Sequence, residues 1–300
     1  MNRSDTQLMT DRISHIATHL DISPAQPSYQ ADQSHTINRS STTSSSSDPK
    51  HNTMASTRPF AIIAGVGPGT GAALALKFSS AYPVALLART PANYEPYVDE
   101  INKSGGKAIG ISTDLSSSSS IQSAFKQINN EYGNVCAAAV YNASGRFFRK
   151  SILELTEEEF TAGYDVSCKG AFLFTQAVMP MLLKAAEGGD AKYPPTLVYT
   201  GATASVKSNA LMSSFSTGKY AMRALAQSVA REFAPKGVHV AHAVIDGVID
   251  IPRTKEWLKG QPKEAKISPH GIADAYWNLH TQPNTTFTNE IDIRPMLEKW

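Results

Sequence analysis

Short apolar runs alternate with amphipathic stretches of helical period from residue 57 to the C-terminal end, and this alternation restricts the fold more than any other feature. Strands are predicted at 60–64, 84–88, 108–112, 135–140, 197–200, 238–244 and 287–293. Helices are predicted near 72–78, 92–104, 118–131, 156–165, 168–186, 213–234 and 269–280. Apolar strands separated by helices are typical of a parallel sheet covered on both faces. Because such crossovers are right-handed, residues 57–300 are predicted to form one Rossmann-type, doubly wound α/β domain of about seven strands.

Residues 1–56 have a different composition. Tyr29 is the only aromatic residue in this segment, and residues 40–47 are all Ser or Thr. A segment with so little apolar surface cannot offset the entropy lost on ordering. It also lacks the apolar stretch of a signal peptide. We therefore predict a disordered, low-complexity extension.

The charge balance and the cysteine count exclude several classes of protein. With 28 basic and 26 acidic residues the net charge is +2, which argues against a nucleic-acid partner and against a polybasic membrane patch. Cys136 and Cys168 are too few for a disulfide framework or a Cys-rich metal site. No continuous apolar run has the length of a membrane span. We expect a cytoplasmic protein that acts on a small molecule and holds no metal.

A glycine-rich loop lies between the first predicted strand and the first predicted helix. Gly65 permits the tight turn, Gly69 permits close approach of a pyrophosphate, and Gly71 permits close packing of the helix on the strand. The loop also contains Gly67 and Thr70, and the free N–H groups at the helix start face a bound phosphate. The sequence therefore predicts a dinucleotide site here.

The residue after the second strand distinguishes the two nicotinamide dinucleotides. An acidic residue there binds the ribose 2′-hydroxyl of NAD, but this chain has Arg89, whose guanidinium suits a 2′-phosphate. NADP is therefore predicted, with NAD as an alternative. Asp114 follows the third strand, where it either contacts the adenine or caps the next helix.

These motifs resemble the short-chain dehydrogenase/reductase family. The resemblance rests on Ala64-Gly65-x-x-x-Gly69-x-Gly71 and on Asn142-Ala143, which is similar to the family's Asn-Asn-Ala-Gly motif. It implies a single Rossmann domain of seven parallel strands that binds NAD(P). It also implies that Asn142 contributes to the cofactor site, as do Gly247 and Val248 after the sixth strand. Members commonly form homo-oligomers through the long helix, here 213–234, and the last strand, here 287–293.

The family's catalytic residues are a Tyr-x-x-x-Lys pair, a Ser upstream and an Asn on the preceding helix. The Tyr donates a proton to the carbonyl, the Lys lowers the pKa of that Tyr, and the Ser binds the substrate oxygen. At the matching positions this sequence has Phe215, Lys219, Ala202 and Ser167, so only the lysine is retained. A phenyl ring transfers no proton, and loss of a positioned acid lowers a rate by roughly 10²–10⁴.

Other residues are candidates for the missing proton donor. Thr203 adjoins Ala202, and Tyr141 follows the fourth strand at the carboxyl edge of the sheet. Asp246 and Asp250 follow the sixth strand and are alternatives if they are buried.

Two classes of function remain open from the sequence. One is an NADP(H)-dependent oxidoreductase that acts on a small-molecule carbonyl or alcohol through a non-standard proton donor. The other is an NADP-binding protein without hydride transfer, serving as a non-redox catalyst, a sensor or a scaffold. His239 and His242 lack the helical spacing of a zinc site, so we interpret them as core or edge residues.

Overall fold

Seven parallel strands form the centre of the structure, a computed structural model that describes residues 58–188 and 192–299. Their order across the sheet is β3-β2-β1-β4-β5-β6-β7. The predicted doubly wound sheet is confirmed, whereas the predicted extension over residues 1–56 lies outside the described residues. The strands are β1 (Phe60–Ala64), β2 (Val84–Ala88), β3 (Ala108–Ser112), β4 (Cys136–Tyr141), β5 (Thr196–Thr200), β6 (His239–Ile245) and β7 (Glu290–Ile293).

Helices cover both faces of the sheet. The bounds are α1 (Thr70–Ser79), α2 (Glu95–Lys103), α3 (Ser118–Tyr132), α4 (Glu157–Tyr164), α5 (Ala171–Glu187), α6 (Ser213–Phe233) and α7 (Pro269–His280). One apolar core lies between the sheet and α3, α5 and α6, and a second lies between the sheet and α1, α2 and α7. Successive β1 residues Ile62 and Ile63 are fully buried in opposite cores. A strand buried on both faces therefore appears as a continuous apolar run.

Local sequence signals define several helix ends. The Ser117 hydroxyl caps α3, and the Ser268 hydroxyl caps α7. Thr156 and Glu159 form a capping box at the start of α4, in which each side chain accepts from the other residue's backbone N–H. Gly133 follows α3 with a φ of 81°, a conformation that favours glycine.

The helices predicted at 156–165 and 168–186 are joined. A π-helical turn, Asp165–Gly170, connects α4 to α5 without a break. Gly170 is the last residue of this turn. A larger residue does not fit there, because a Cβ would lie 2.3 Å from the Leu115 carbonyl oxygen and 2.5 Å from the Tyr141 hydroxyl. Residues 157–187 are long and apolar enough to cross a membrane by length and composition, with a mean hydropathy of 1.4 in the best window. Half of that window is buried inside the domain, as in a core helix.

Three histidines of the described residues are buried in or beside the last strands. His239 and His242 lie on β6 with 0% and 1% exposure, as interpreted from the sequence. His280, at the end of α7, is fully buried between the hydroxyl groups of Tyr82 and Thr196, at 2.9 and 3.0 Å from its ring nitrogens. Burial lowers the pKa of His280 to about 4. The imidazole is therefore neutral in the folded protein at neutral pH.

We predict that His280 makes the fold sensitive to mild acid. Between its unfolded pKa of about 6.5 and its folded pKa of about 4, only the unfolded chain binds a proton there, so stability falls as the pH drops. When the pH drops from 7 to 5, the wild type should lose roughly 1–2 kcal/mol more of its free energy of unfolding than His280→Gln loses. Denaturant titrations at the two pH values measure this difference. His270→Gln, which changes an exposed histidine on the same helix, should keep the wild-type dependence; an equal effect of both substitutions would contradict the assignment.

Candidate functional site

The glycine loop contacts the carboxyl end of β4 where the strand order reverses. Gly65 follows β1 with a φ of +92°, and a Cβ on it would lie 2.5 Å from the Ala143 backbone nitrogen. The Asn142 side-chain Nδ2 donates to the Gly65 carbonyl oxygen at 2.9 Å. Ligands of doubly wound sheets bind at this switch point. The loop and the residues after β4 are thus fixed to each other at the expected place.

The N-terminus of α1 presents polar groups that suit a phosphate. Gly69 precedes the helix and supplies no side-chain cap, so the first N–H groups lack intrahelical acceptors. Thr70 is 7% exposed, and its hydroxyl has no hydrogen-bond partner among the described residues. A Cβ on Gly71 would lie 2.7 Å from the Gly65 carbonyl oxygen. A bound anion would accept hydrogen bonds from these groups, so the loop fits the diphosphate of a dinucleotide.

Gly69 has a second neighbour that the sequence did not reveal. A Cβ on Gly69 would lie 2.5 Å from Cγ2 of Ile251, in the segment after β6. The absence of a side chain therefore lets this segment lie against the glycine loop. Gly67 faces open space, because a Cβ added there would have no heavy atom of the described residues within 4 Å beyond its chain neighbours.

Arg89 and Asp114 lie at neighbouring strand ends. Arg89 is exposed, and its carbonyl oxygen accepts from the Ser112 hydroxyl at 2.8 Å. Hydrogen bonds from the Ser116 hydroxyl and backbone N–H lower the pKa of Asp114, and the nearby Arg89 charge contributes. Ser117 caps α3, so Asp114 does not serve as the helix cap. Contact between Asp114 and the adenine remains a prediction.

Lys219 and Phe215 share one face of α6, as their four-residue spacing requires. The Lys219 ammonium nitrogen lies 6.0 Å from the Phe215 ring centroid. It donates to the Thr200 carbonyl oxygen at 2.8 Å at the end of β5. The side chain is 2% exposed, and burial lowers the pKa of Lys219 to about 8. Phe215 packs edge-on against Phe147, with ring centroids 5.4 Å apart.

The other two replaced positions have structural contacts. The Ala202 backbone N–H donates to the Ser205 hydroxyl oxygen at 3.1 Å, which closes the single turn that follows β5. Ser167 is fully buried in the π-helical turn, where its hydroxyl oxygen accepts from the Gly145 N–H at 3.3 Å. Ser167 therefore holds the loop after β4 and does not point a free hydroxyl toward solvent.

The two alternative hydroxyl donors have very different surroundings. Tyr141 is fully buried in β4, and its hydroxyl donates to the Val166 carbonyl oxygen at 2.5 Å. Burial raises the pKa of Tyr141, so its buried and already bonded hydroxyl is the less suitable of the two candidates for the missing acid. Thr203 is half-buried, and its hydroxyl donates to Asp246 Oδ1 at 2.5 Å. Thr203 therefore stays accessible while it contacts a carboxylate.

Of the two candidate carboxylates after β6, only that of Asp246 is buried. Asp250 is exposed, and its carboxylate lies 3.4 Å from the Lys266 ammonium. Gly247 has a φ of +143° and packs against Pro295. The Val248 carbonyl oxygen accepts from the Ile267 N–H at 2.9 Å. Gly247 and Val248 thus shape the loop beside the predicted cofactor site.

Two residues of the site carried no motif that would reveal them. Phe147 is 47% exposed and forms an aromatic pair with Phe215. Arg294 follows β7 and pairs with Asp246 at 2.8 Å. Their only sequence signal was their position after a predicted strand.

With this geometry established, comparison with known proteins identifies the class. The profile of the family described as short chain dehydrogenase matches residues 59–262. The chain belongs to this family, whose members are NAD(P)-binding oxidoreductases.

Related sequences and structures agree with this membership. An uncharacterised oxidoreductase of Staphylococcus epidermidis is 28% identical over 237 residues, covering 79% of this chain and 96% of its own. A short-chain dehydrogenase from Rhodopseudomonas palustris is 28% identical with a TM-score of 0.64, covering 78% of this chain and 98% of its own. An alcohol dehydrogenase from Thermococcus sibiricus, solved with 5-hydroxy-NADP, shares the fold at 24% identity, with a TM-score of 0.68 and coverage of 80% and 98%.

We predict that Gly65→Ala disrupts the site and the fold together. The new Cβ would meet the Ala143 backbone at 2.5 Å and would impose a φ of +92° on an alanine. The free energy of unfolding should fall by more than about 2 kcal/mol, measured by denaturant titration. Gly67→Ala is the matched control, because it adds the same methyl group to open space outside the left-handed region. Equal stability of the two variants would contradict this explanation.

Proposed function

We propose that this protein is an NADP(H)-dependent oxidoreductase that interconverts a small-molecule carbonyl and its alcohol through a non-standard proton donor. The observation that carries the proposal is Lys219, an ammonium group buried at the carboxyl edge of the sheet and held by the Thr200 carbonyl oxygen. Burying a charge with one neutral partner is unfavourable, which favours a binding role at this edge over a purely structural one.

The cofactor part of the proposal rests on three groups of the chain. The N-terminus of α1 and the unpartnered Thr70 hydroxyl would bind the diphosphate, and the Lys219 ammonium would bind the ribose beside the nicotinamide. The exposed Arg89 guanidinium would pair with a 2′-phosphate. When bound, the nicotinamide accepts or supplies the hydride.

A second candidate function is dinucleotide binding without hydride transfer. The observation that favours it is the edge-on contact between Phe215 and Phe147, 5.4 Å between centroids, which puts apolar surface where the family has its acid. A binding or sensing protein requires the phosphate loop and Lys219 but no proton donor. The two candidates therefore differ in whether any carbonyl is reduced, and not in whether NADPH binds.

Homo-oligomer formation and a cytoplasmic location remain predictions from the sequence and the family. On α6, Tyr220 is 41% exposed, and β7 forms one edge of the sheet. An apolar side chain on the long helix and an open strand edge suit self-association.

The first prediction for this function concerns the choice of dinucleotide. Calorimetric titration should give tighter binding of NADPH than of NADH, because only NADPH carries the phosphate that the Arg89 guanidinium would neutralise. Arg89→Ala should remove most of this difference and leave NADH binding unchanged. Arg58→Ala, near the start of β1, serves as the charge-matched control. Equal affinity of the wild type for both dinucleotides would contradict the NADP assignment.

The second prediction concerns the missing acid. The wild type should oxidise NADPH with at least one member of a panel of aldehydes and ketones, as followed by absorbance, because the proposal supplies another donor. Phe215→Tyr combined with Ala202→Ser should leave the activity of the wild type on that substrate within about tenfold. Phe172→Tyr, on the exposed face of α5, is the control.

If the double variant reduces a carbonyl and the wild type reduces none, although both bind NADPH, the second candidate function is favoured. That result would overturn the oxidoreductase proposal.

A further inference from the structure

A hydroxyl, a carboxylate and a guanidinium form a continuous chain at the carboxyl edge of the sheet. The Thr203 hydroxyl donates to Asp246 Oδ1 at 2.5 Å, and Asp246 Oδ2 lies 2.8 Å from Arg294 Nη1. Thr203 follows β5 and Asp246 follows β6, so neighbouring strands bring them together. None of the three belongs to the family's catalytic pattern described above.

The guanidinium defines which groups donate and which accept in this series of hydrogen bonds. Asp246 Oδ2 faces the Arg294 guanidinium, which only donates, and Asp246 Oδ1 accepts from the Thr203 hydroxyl. The Thr203 proton therefore points at Asp246, and the lone pairs of its oxygen remain for another donor. Asp246 is 7% exposed, whereas Thr203 is half-buried. Of the two residues, Thr203 is therefore the more exposed.

The C-terminal segment holds the carboxylate in place. Arg294 also pairs with Asp292, with two nitrogen–oxygen distances of 2.8 Å. Gly247, the residue after Asp246, packs against Pro295 and beside the Glu298 carboxylate. The Arg294 guanidinium thus lies near three carboxylates, those of Asp246, Asp292 and Glu298.

Thr203 lies close to the residues that the cofactor proposal uses. It begins the single turn after β5, and this turn packs against α6, the helix that carries Phe215 and Lys219. Lys219 donates to the carbonyl oxygen of Thr200, three residues before Thr203. Ala202, which occupies the position of the family's serine, immediately precedes it.

We propose that Thr203 and Asp246 form a two-step proton relay that receives the proton of an alcohol substrate. This inference rests on the proposed oxidoreductase function. The substrate O–H bond breaks and its proton moves to Thr203 Oγ1, while the former Thr203 proton moves to Asp246 Oδ1. The substrate C–H bond breaks with its electron pair, which the oxidised dinucleotide accepts as hydride. A carbonyl forms, and Asp246 later releases its proton to water.

The relay is tested with cyclohexanol and 1-phenylethanol as probes and NADP⁺ as the oxidant. Thr203→Val should lower kcat/KM by about 10², and Thr203→Ser should restore it to within about threefold of wild type. Asp246→Asn still hydrogen-bonds Thr203 but takes up no proton, so it should lower kcat by a similar factor with KM unchanged. Calorimetry should show unchanged NADPH affinity in all three variants.

A binding measurement separates the relay from general damage to the site. An alcohol and NADPH cannot react, so the quenching of NADPH fluorescence by each probe reports equilibrium affinity. Thr203→Val should weaken this affinity about fivefold, and Asp246→Asn should leave it unchanged. Thr217→Val and Asp99→Asn, which change exposed residues of the same types, are the controls and should match the wild type in both assays.

Full kcat in Asp246→Asn, or wild-type kinetics in Thr203→Val, would overturn the relay while leaving the oxidoreductase proposal intact. If Thr203→Val does not fold, Asp246→Asn and Thr203→Ser still decide between the outcomes. If the wild type binds NADPH but oxidises neither probe, and reduces no carbonyl of the panel, both proposals fall together.

Discussion

The contact between the end of β1 and the residues after β4 is the constraint on which the rest of the site depends. Gly65 and Ala143 approach so closely that no side chain fits at position 65, and Asn142 closes the gap with a hydrogen bond. This contact fixes the start of α1 relative to the opposite half of the sheet. The groups proposed to bind phosphate and the residues after β4, β5 and β6 therefore lie at the same edge of the sheet, as the strand order requires.

Within this frame the chain retains the glycine loop and the lysine of the family pattern but not its tyrosine, serine and asparagine. The buried Lys219 ammonium retains its contact with the sheet, whereas Phe215 contributes only apolar surface. A desolvated amine with one carbonyl partner is poorly compensated in the isolated protein. Hydroxyl groups of a bound ribose would supply additional acceptors. The site is thus chemically consistent with a ligand at Lys219. The two candidate functions differ in whether any group of the chain supplies the proton.

The sequence predicted the order of elements and the glycine loop because both depend on local patterns. Apolar runs and glycine spacing act over a few residues, and tertiary packing did not override them. That Tyr141 is the less suitable candidate was not predictable, because its position at a strand end did not specify whether the ring points into the core. The two helices around residue 166 were expected to be separate because a π-helical turn has no simple sequence signal. Asp246 was named as a candidate, but its partner Arg294 is 48 positions away, beyond the reach of local patterns.

The hydrogen bonds of the site also differ in how far along the chain they reach. Asn142 and Gly65 are 77 residues apart, and Thr203 and Asp246 are 43 apart. Such non-local contacts form slowly because long loops must close first, and parallel sheets raise the relative contact order of a domain. Arg294 follows β7, an edge strand, so its pairing with Asp246 depends on β7 lying at that edge. Asp246 is therefore oriented by the margin of the sheet, whereas the contact between Gly65 and Asn142 depends on β1 and β4 near its centre.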